Sequence, residues 1–190
     1  MDNSLYLFVG KSASGKTTIA SMLEESGEHK YVSSYTTRPP RYDGETGHAF
    51  VFDEEFNRLE NIVAYTEYNN YRYCSTKEQI DSADIYVVDV PGVDTLLQKY
   101  DSDRHIIVFY FDTDVRTRID RMIERNDCDA AIVSRLHQDE ESDWLQELNK
   151  LVWHYKNNIG RNVDMYVIDA TKDINVVFNQ VTSYIQKETE

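Results

Sequence analysis

Short runs of apolar, β-branched or aromatic residues recur along the chain, and amphipathic segments separate them. The runs lie at Leu5–Val9, Tyr31–Tyr35, Ile85–Val90, Ile106–Phe111 and Met165–Ile168. Continuous runs of this length are typical of strands buried on both faces of a parallel sheet. Between them, apolar residues at three- and four-residue spacing predict helices around residues 19–23, 115–123, 145–155 and 174–185. This alternation predicts a three-layer α/β fold, with a five-stranded parallel sheet flanked by helices.

Residues 36–80 interrupt the alternation. They are rich in tyrosine, asparagine and turn-forming residues, and they contain short alternating pieces such as "HAFVF" at 48–52. This composition favours short strands over helices. We therefore predict a small β-containing lobe inserted into the α/β body.

Composition narrows the classes of function. A net charge of −14 over 190 residues argues against binding to nucleic-acid backbones or anionic membranes. No apolar run approaches the length of a membrane span, and the first residues lack a signal peptide. Cys74 and Cys128 are too few for a disulfide framework, and the five histidines show no metal-ligand spacing. We expect a cytoplasmic protein with free thiols, as a monomer or homodimer.

A glycine-rich loop follows the first apolar run. The segment Gly10-Lys-Ser-Ala-Ser-Gly15-Lys16-Thr17 fits the phosphate-loop pattern G-x-x-x-x-G-K-[ST] at every position. Glycines let successive N–H groups turn inward toward phosphate oxygens at the positive end of the following helix. The alternative is a flexible turn with a solvated lysine. The pattern predicts a P-loop NTPase fold that binds a nucleoside triphosphate through Gly10, Ser12, Ala13, Ser14, Gly15, Lys16, Thr17 and Thr18.

Asp89 stands at the end of the run "IYVVDV". A carboxylate there is costly unless it is paired. With the Thr17 hydroxyl, it is a candidate ligand of Mg²⁺, directly or through water. The alternative is a cap of the turn that follows the strand.

A second group of basic residues lies in the predicted lobe. Arg38 and Arg41 flank two prolines, and two guanidiniums held by a stiff segment suit a doubly charged phosphate. Two surface arginines in a loop are the alternative. The surrounding segment "SYTTRPPRYDGETGHAFVF" (34–52) resembles the GMP-binding segment of guanylate kinases, S-x-T-T-R-x-x-R-x-G-E-x-x-G-x-x-Y-x-F. The segment "YRYCSTKEQI" (71–80) resembles that family's Y-Y-G-[ST] stretch, and the resemblance covers roughly residues 5–136.

The resemblance implies roles for individual residues of this lobe. Arg38, Arg41 and Tyr73 would hold the acceptor phosphate, and Ser34 and Ser75 would contact the base. The sequence also departs from the family. The phosphate-binding tyrosine falls at Phe50, the guanine-reading glutamate at Ala64 with Glu67 nearby as a substitute, and the second acidic residue after the strand at Pro91. The departures do not change the expected reaction, but they remove the basis for expecting strict specificity for GMP.

Arginines also recur in a predicted helical lid. Arg118, Arg121 and Arg125 are spaced by three and four residues, and Arg135 follows an acidic stretch. The resemblance matches Arg121, Arg125 and Arg135 to lid arginines that neutralise the transferred phosphate. A solvated, internally paired helix is the alternative. The acidic run at 139–143 is interpreted as a solvated helix start, and "VIDATKD" resembles the loop that receives adenine.

These assignments together predict a nucleoside monophosphate kinase. The chain divides into core (1–34), acceptor lobe (35–80), core (81–115), lid (116–140) and core (141–190). Lys16, Arg38, Arg121, Arg125 and Arg135 are the expected catalytic residues, and Ser34, Arg38, Arg41, Phe50, Glu67, Tyr73 and Ser75 the expected acceptor site. ATP and Mg²⁺ are the expected cofactors, with GMP or dGMP as acceptor. The alternatives are a kinase of relaxed base preference, an inactive protein-binding module of the same fold, and a GTPase switch. The last is weakened because no N-K-x-D motif is present.

Overall fold

The computed structural model describes residues 3–41, 43–140 and 142–189. The strands are β1 (Ser4–Val9), β2 (Ser34–Thr36), β3 (His48–Phe50), β4 (Ile62–Tyr68), β5 (Tyr71–Thr76), β6 (Ile85–Val87), β7 (His105–Asp112) and β8 (Val163–Asp169). The helices are α1 (Lys16–Glu25), α2 (Asp53–Phe56), α3 (Lys77–Asp81), α4 (Val90–Lys99), α5 (Val115–Glu124), α6 (Asp129–Glu140), α7 (Trp144–His154) and α8 (Ile174–Thr189). A π-helical turn, Tyr155–Ile159, continues α7.

The main sheet is parallel and has the strand order β6-β1-β7-β8. Strand β1 lies at its centre, and all six of its residues are buried. On one face, an apolar cluster joins β1 and β7 to α1 and α8. On the other face, a second cluster joins the same strands to α4 and α7. The predicted α/β fold with a parallel sheet between two helical layers is confirmed.

The prediction of five strands in this sheet is wrong; the described residues form four. The run Tyr31–Tyr35 is divided between two sheets. Tyr31 forms one parallel bridge to Ile85, and the Val32 N–H donates to the Ile85 carbonyl at 2.8 Å. The chain then turns away, and Ser34–Thr36 pairs in the second sheet instead. A continuous apolar run marks burial, and it does not reveal which sheet receives each residue.

The second sheet extends from Ser34 to Thr76, so it begins two residues before the segment predicted to be β-containing. Its order is β3-β2-β5-β4, with β2 parallel to β3 and antiparallel to β5. Strand β4 pairs with β5 through a turn in which Asn69 and Asn70 both have positive φ. This sheet sets Ser34, Thr66 and Tyr73 beside the carboxyl ends of the main sheet.

The predicted strand Ile85–Val90 is shorter than expected. Strand β6 ends at Val87, and α4 begins at Val90 with Asp89 as its N-cap. The segment 115–140 forms two helices, α5 and α6, joined by a turn in which Asn126 has positive φ. Within the described residues, no helix combines the length and apolar character that crossing a membrane requires. Cys74 and Cys128 are free, as predicted.

Candidate active site

The glycine-rich loop connects the end of β1 to the start of α1. Gly15 has a φ of 93° and Ala13 a φ of 62°, so the backbone coils tightly before the helix begins. Gly10 has a φ of 155°, and a Cβ there would lie 2.7 Å from the Phe111 carbonyl oxygen. No larger residue fits at Gly10 without displacing β7. The loop therefore has the local geometry that its sequence pattern predicts.

Lys16 lies inside the curl of this loop. Its Nζ donates to the Lys11 carbonyl at 2.8 Å and to the Ser14 hydroxyl at 3.1 Å. Burial lowers the pKa of Lys16 to about 8, and the nearby Asp139 carboxylate partly opposes this shift. Among the residues that the structure describes, the ammonium group thus contacts only neutral oxygens, and an arriving anion would be its first direct ionic partner there.

A cavity of about 500 Å³ opens on one side of the loop; we call it the outer cavity. Arg121 spans its edge, because its Nη2 donates to the Ala170 carbonyl at 2.8 Å and its Nη1 to the Ala13 carbonyl at 3.3 Å. The cavity is lined by Ala13, Gly15, Lys16, Thr17, Thr18, Arg121, Arg125, Lys172, Asp173 and Ile174. The predicted ATP loop, two lid arginines and part of "VIDATKD" therefore meet in one place.

A second cavity, of about 180 Å³, opens on the other side of the loop, toward the second sheet; we call it the inner cavity. Its lining combines the loop, the second sheet, the end of β6 and the α6–α7 segment. The lining residues are Gly10, Ser12, Lys16, Ser34, Arg41, His48, Thr66, Tyr68, Tyr73, Tyr86, Val87, Val88, Asp89, Asp139 and Trp144. Lys16 borders both cavities.

Arg38 and Arg41 are held side by side by Glu45. The Glu45 carboxylate accepts from Arg38 Nη2 at 2.8 Å and Nη1 at 3.1 Å, and from the Arg41 backbone N–H at 2.6 Å. These bonds and the two positive charges lower the pKa of Glu45 against the opposing effect of burial. Arg41 lines the inner cavity, whereas Arg38 is buried behind it with its guanidinium 5.3 Å from the centre of the Phe50 ring. Phe50 thus packs under a phosphate-binding candidate and offers no hydroxyl.

His48 is a residue of the inner cavity that the sequence did not single out. Its Nδ1 lies 2.9 Å from the Ser34 hydroxyl, and its ring packs edge-on against Tyr73. Burial and the Arg38 charge lower the pKa of His48 to about 4, so the imidazole is neutral at pH 7. It can therefore exchange hydrogen bonds with Ser34 without adding charge to the cavity.

Asp89 faces the inner cavity and is already engaged by the protein. Its Oδ2 accepts from the Thr66 hydroxyl at 2.7 Å, and its Oδ1 accepts from the Gly92 N–H at 2.9 Å, which caps α4. Burial raises the pKa of the Asp89 carboxyl, and these hydrogen bonds oppose the shift. Thr17 lines the outer cavity and Asp89 the inner one, so the two predicted magnesium ligands border different cavities. Among the residues that the structure describes, no group of three or more acidic, histidine or cysteine side chains forms a metal cluster.

Asp127 forms ion pairs with two of the predicted lid arginines. Its carboxylate pairs with Arg125, at 2.5 Å from Nη2, and with Arg135. These positive charges lower the pKa of Asp127. Burial lowers the pKa of Arg41, as do the charges of Arg38, Arg135 and Arg125. The arginines that the sequence assigns to the lid and those that it assigns to the acceptor site therefore lie near enough to repel one another.

Besides Arg38 and Phe50, two further predicted acceptor residues do not line the inner cavity. Glu67 is exposed, and its carboxylate accepts from the Tyr65 hydroxyl at 2.5 Å. Ser75 is buried in β5 and does not line the cavity.

The sequence also missed an ionic contact at the loop. Asp139, interpreted as part of a solvated helix start, has 0% exposure and pairs with the fully buried Arg118. Glu141, from the same acidic run, lies outside the described residues. Helical spacing placed Arg118 beside the other arginines, but no sequence signal links it to Asp139.

Comparison with known proteins adds information on the fold. No protein-family model matches the chain, and no curated protein sequence is detectably similar to it. Among solved structures, the chain is similar to the guanylate kinase from Anaplasma phagocytophilum, with a TM-score of 0.55 and 16% sequence identity. The alignment covers 97% of this chain and 85% of that one. The chain therefore has a guanylate-kinase-like fold along nearly its whole length.

Proposed function

We propose that the protein is a nucleoside monophosphate kinase that transfers the γ-phosphate of ATP to GMP or dGMP. The observation that carries this proposal is the position of Lys16, which borders both cavities. The terminal phosphate of a triphosphate in the outer cavity would lie beside Lys16 and point toward an acceptor in the inner cavity. The two substrates would then meet end to end across one ammonium group, which is the arrangement that in-line phosphoryl transfer requires.

The protein's part in this reaction is positioning and charge neutralisation. An oxygen of the acceptor phosphate attacks the γ-phosphorus, the bond to the bridging oxygen breaks, and ADP leaves. We assign the loop amides and Lys16 to the donor phosphates, and Arg41, Arg38 and Tyr73 to the acceptor phosphate. Arg121, Arg125 and Arg135 would neutralise charge on the transferred group. Mg²⁺ supplies further neutralisation when it is bound, and the Thr17 hydroxyl on the donor side is its candidate protein ligand.

We assign Asp89 to the acceptor base in preference to the metal. Its carboxylate lines the inner cavity beside Thr66, whereas Thr17 lines the outer cavity. An ionised carboxylate only accepts hydrogen bonds. The Watson–Crick edge of guanine presents two adjacent donors, N1–H and the 2-amino group. Asp89 could therefore favour guanine by accepting from these two donors. Glu67 faces solvent and Ala64 carries no polar side-chain atom, so neither is assigned this role.

A coupled assay with ATP·Mg²⁺ and a panel of acceptors tests the proposal. GMP and dGMP should give the highest kcat/KM among GMP, dGMP, AMP, CMP, UMP and dTMP. Asp89→Asn should narrow this preference by about tenfold or more, because a site built to hydrogen-bond a substrate discriminates strongly. Absence of turnover on all six acceptors would refute the enzyme assignment. Turnover with a preference that Asp89→Asn leaves unchanged would refute only the role of Asp89.

A further inference from the structure

The amide of Ser12 in the phosphate loop is already bound to a carboxylate of this chain. Its N–H donates to Asp139 Oδ2 at 2.8 Å, and Asp139 comes from α6, 127 residues further along the chain. The same oxygen accepts from Arg118 Nη1 at 2.7 Å. Asp139 therefore meets the loop as a phosphate oxygen would, as an anion that accepts from a backbone N–H at the start of a helix.

The contact also involves the second sheet. The Tyr68 hydroxyl, at the end of β4, lies 3.1 Å from the Ser12 hydroxyl and 3.5 Å from Asp139 Oδ1. Ser12, Tyr68 and Asp139 all line the inner cavity. One carboxylate thus joins the phosphate loop, the second sheet and α6.

The position of Ser12 identifies which phosphate Asp139 would oppose. Ala13, Gly15 and Thr17 line the outer cavity, whereas Ser12 lines the inner one. A donor that entered from the outer side would reach Ser12 only with its last phosphate. A nucleoside diphosphate would end one phosphate earlier and would leave the contact between Ser12 and Asp139 undisturbed.

We propose that Asp139 is an internal competitor of the donor's terminal phosphate, and that it sets the balance between triphosphate and diphosphate binding. This proposal rests on the proposed function, since it takes the loop as the donor site. A γ-phosphate and the Asp139 carboxylate are both anionic and would claim the same N–H. Triphosphate binding therefore requires α6 to release the loop, and the contact re-forms once the terminal phosphate has been transferred.

Dissociation constants for ATP·Mg²⁺ and ADP·Mg²⁺, measured by calorimetry, test the proposal. Asp139→Asn keeps the shape of the side chain and removes its charge. One hydrogen bond to a charged group corresponds to a change of about tenfold or more in affinity, so ATP should bind at least about tenfold more tightly to this variant. ADP should change by less than about threefold, because only the screened long-range effect of the lost charge reaches it.

Glu140→Gln is the matched control. Glu140 is the next residue of α6, its Oε1 is 3.8 Å from Arg118 Nη2, and its side chain is half exposed. The substitution removes one negative charge from the same helix, but among the described contacts Glu140 has no hydrogen bond to the loop. The dissociation constants for ATP and ADP should therefore both stay within about twofold of the wild-type values.

A second variant covers the case in which Asp139→Asn leaves Arg118 unpaired and unfolds the protein. Replacing both members of a buried ion pair by apolar residues is often tolerated. Arg118→Met with Asp139→Leu should therefore stay folded, as circular dichroism would show, and should bind ATP more tightly. Without any nucleotide, hydrogen exchange at the Ser12 amide should be about tenfold faster in this double variant, because its acceptor is gone.

The outcomes separate the two proposals. Suppose that ATP binds the wild-type protein, but that neither Asp139→Asn nor Arg118→Met with Asp139→Leu changes the ratio of the ATP and ADP dissociation constants. The competitor role of Asp139 is then overturned, and the kinase assignment stands. Unchanged exchange at the Ser12 amide would overturn it independently of any ligand. If ATP binds to none of the proteins, both proposals fail together.

Discussion

Acidification should destabilise the protein through His48. In the unfolded chain this imidazole has a pKa of about 6.5. Burial beside Ser34, Tyr73 and the Arg38 charge lowers the pKa to about 4 in the folded protein. Between these values the unfolded state binds more protons than the native state, so stability falls as pH falls. From pH 7 to pH 5, this single group should remove about 2 kcal/mol of the free energy of unfolding.

The measurement is urea unfolding at pH 7, 6 and 5, for the wild-type protein and for His48→Asn. Asparagine retains a polar atom near the Ser34 hydroxyl but does not titrate. Other acidic and basic groups contribute equally to both proteins, so the difference between the two pH dependences isolates His48. The wild-type protein should lose about 2 kcal/mol more than the variant, which corresponds to roughly 4–8 °C in Tm for a chain of this size. Parallel curves, within about 0.5 kcal/mol, would show that His48 is solvated and would refute this description of the inner cavity.

Two further substitutions test how the arginine pair and the phosphate loop are built. Glu45→Gln should lower the free energy of unfolding by about 2 kcal/mol, because its two arginine partners lose the charge that holds them; an unchanged urea midpoint would contradict this. Gly10→Ala should abolish ATP·Mg²⁺ binding, since its Cβ would lie 2.7 Å from the Phe111 carbonyl oxygen. Gly27→Ala is the control. Gly27 has a φ of +80°, and among the described residues no atom beyond its chain neighbours lies within 4 Å of where a Cβ would be. This substitution should lower the free energy of unfolding by only about 1 kcal/mol and leave ATP·Mg²⁺ binding intact.

The parts of the site predicted from sequence are those whose geometry is local. The phosphate loop is eight consecutive residues between a strand and a helix, and its glycines permit the backbone to coil there. Arg38 and Arg41 lie next to each other for a similar reason, since only two prolines separate them. The outer cavity forms at the amino terminus of α1, where the loop pattern placed it.

The remaining parts depend on contacts between distant residues. His48 reaches the inner cavity because β3 pairs with β2, which places its ring beside Ser34. Tyr31–Tyr35 contributes to two sheets, although its hydrophobicity alone suits either. Asp89 lies in an apolar run that predicts a strand, yet α4 begins at Val90 with Pro91 in its first turn, and Asp89 becomes its cap. In the first two cases tertiary pairing decides what the local pattern leaves open, and at Asp89 a helix start ends the predicted strand early.

The contact between Arg118 and Asp139 shows why burial of charge matters for how this site works. Arg118 is fully buried, and its Nε and Nη2 have no hydrogen-bond partner among the described residues. Buried N–H groups without a hydrogen-bond partner raise the free energy of the folded state. The state in which Asp139 contacts Ser12 therefore combines a strong ion pair with this unfavourable contribution from Arg118. A state with such a penalty is displaced more easily than one in which every donor is satisfied. Movement of α6 away from Ser12 would let water reach these N–H groups, and that gain would offset part of the loss of the ion pair. This makes α6 the element whose position should respond to the length of the bound phosphate chain.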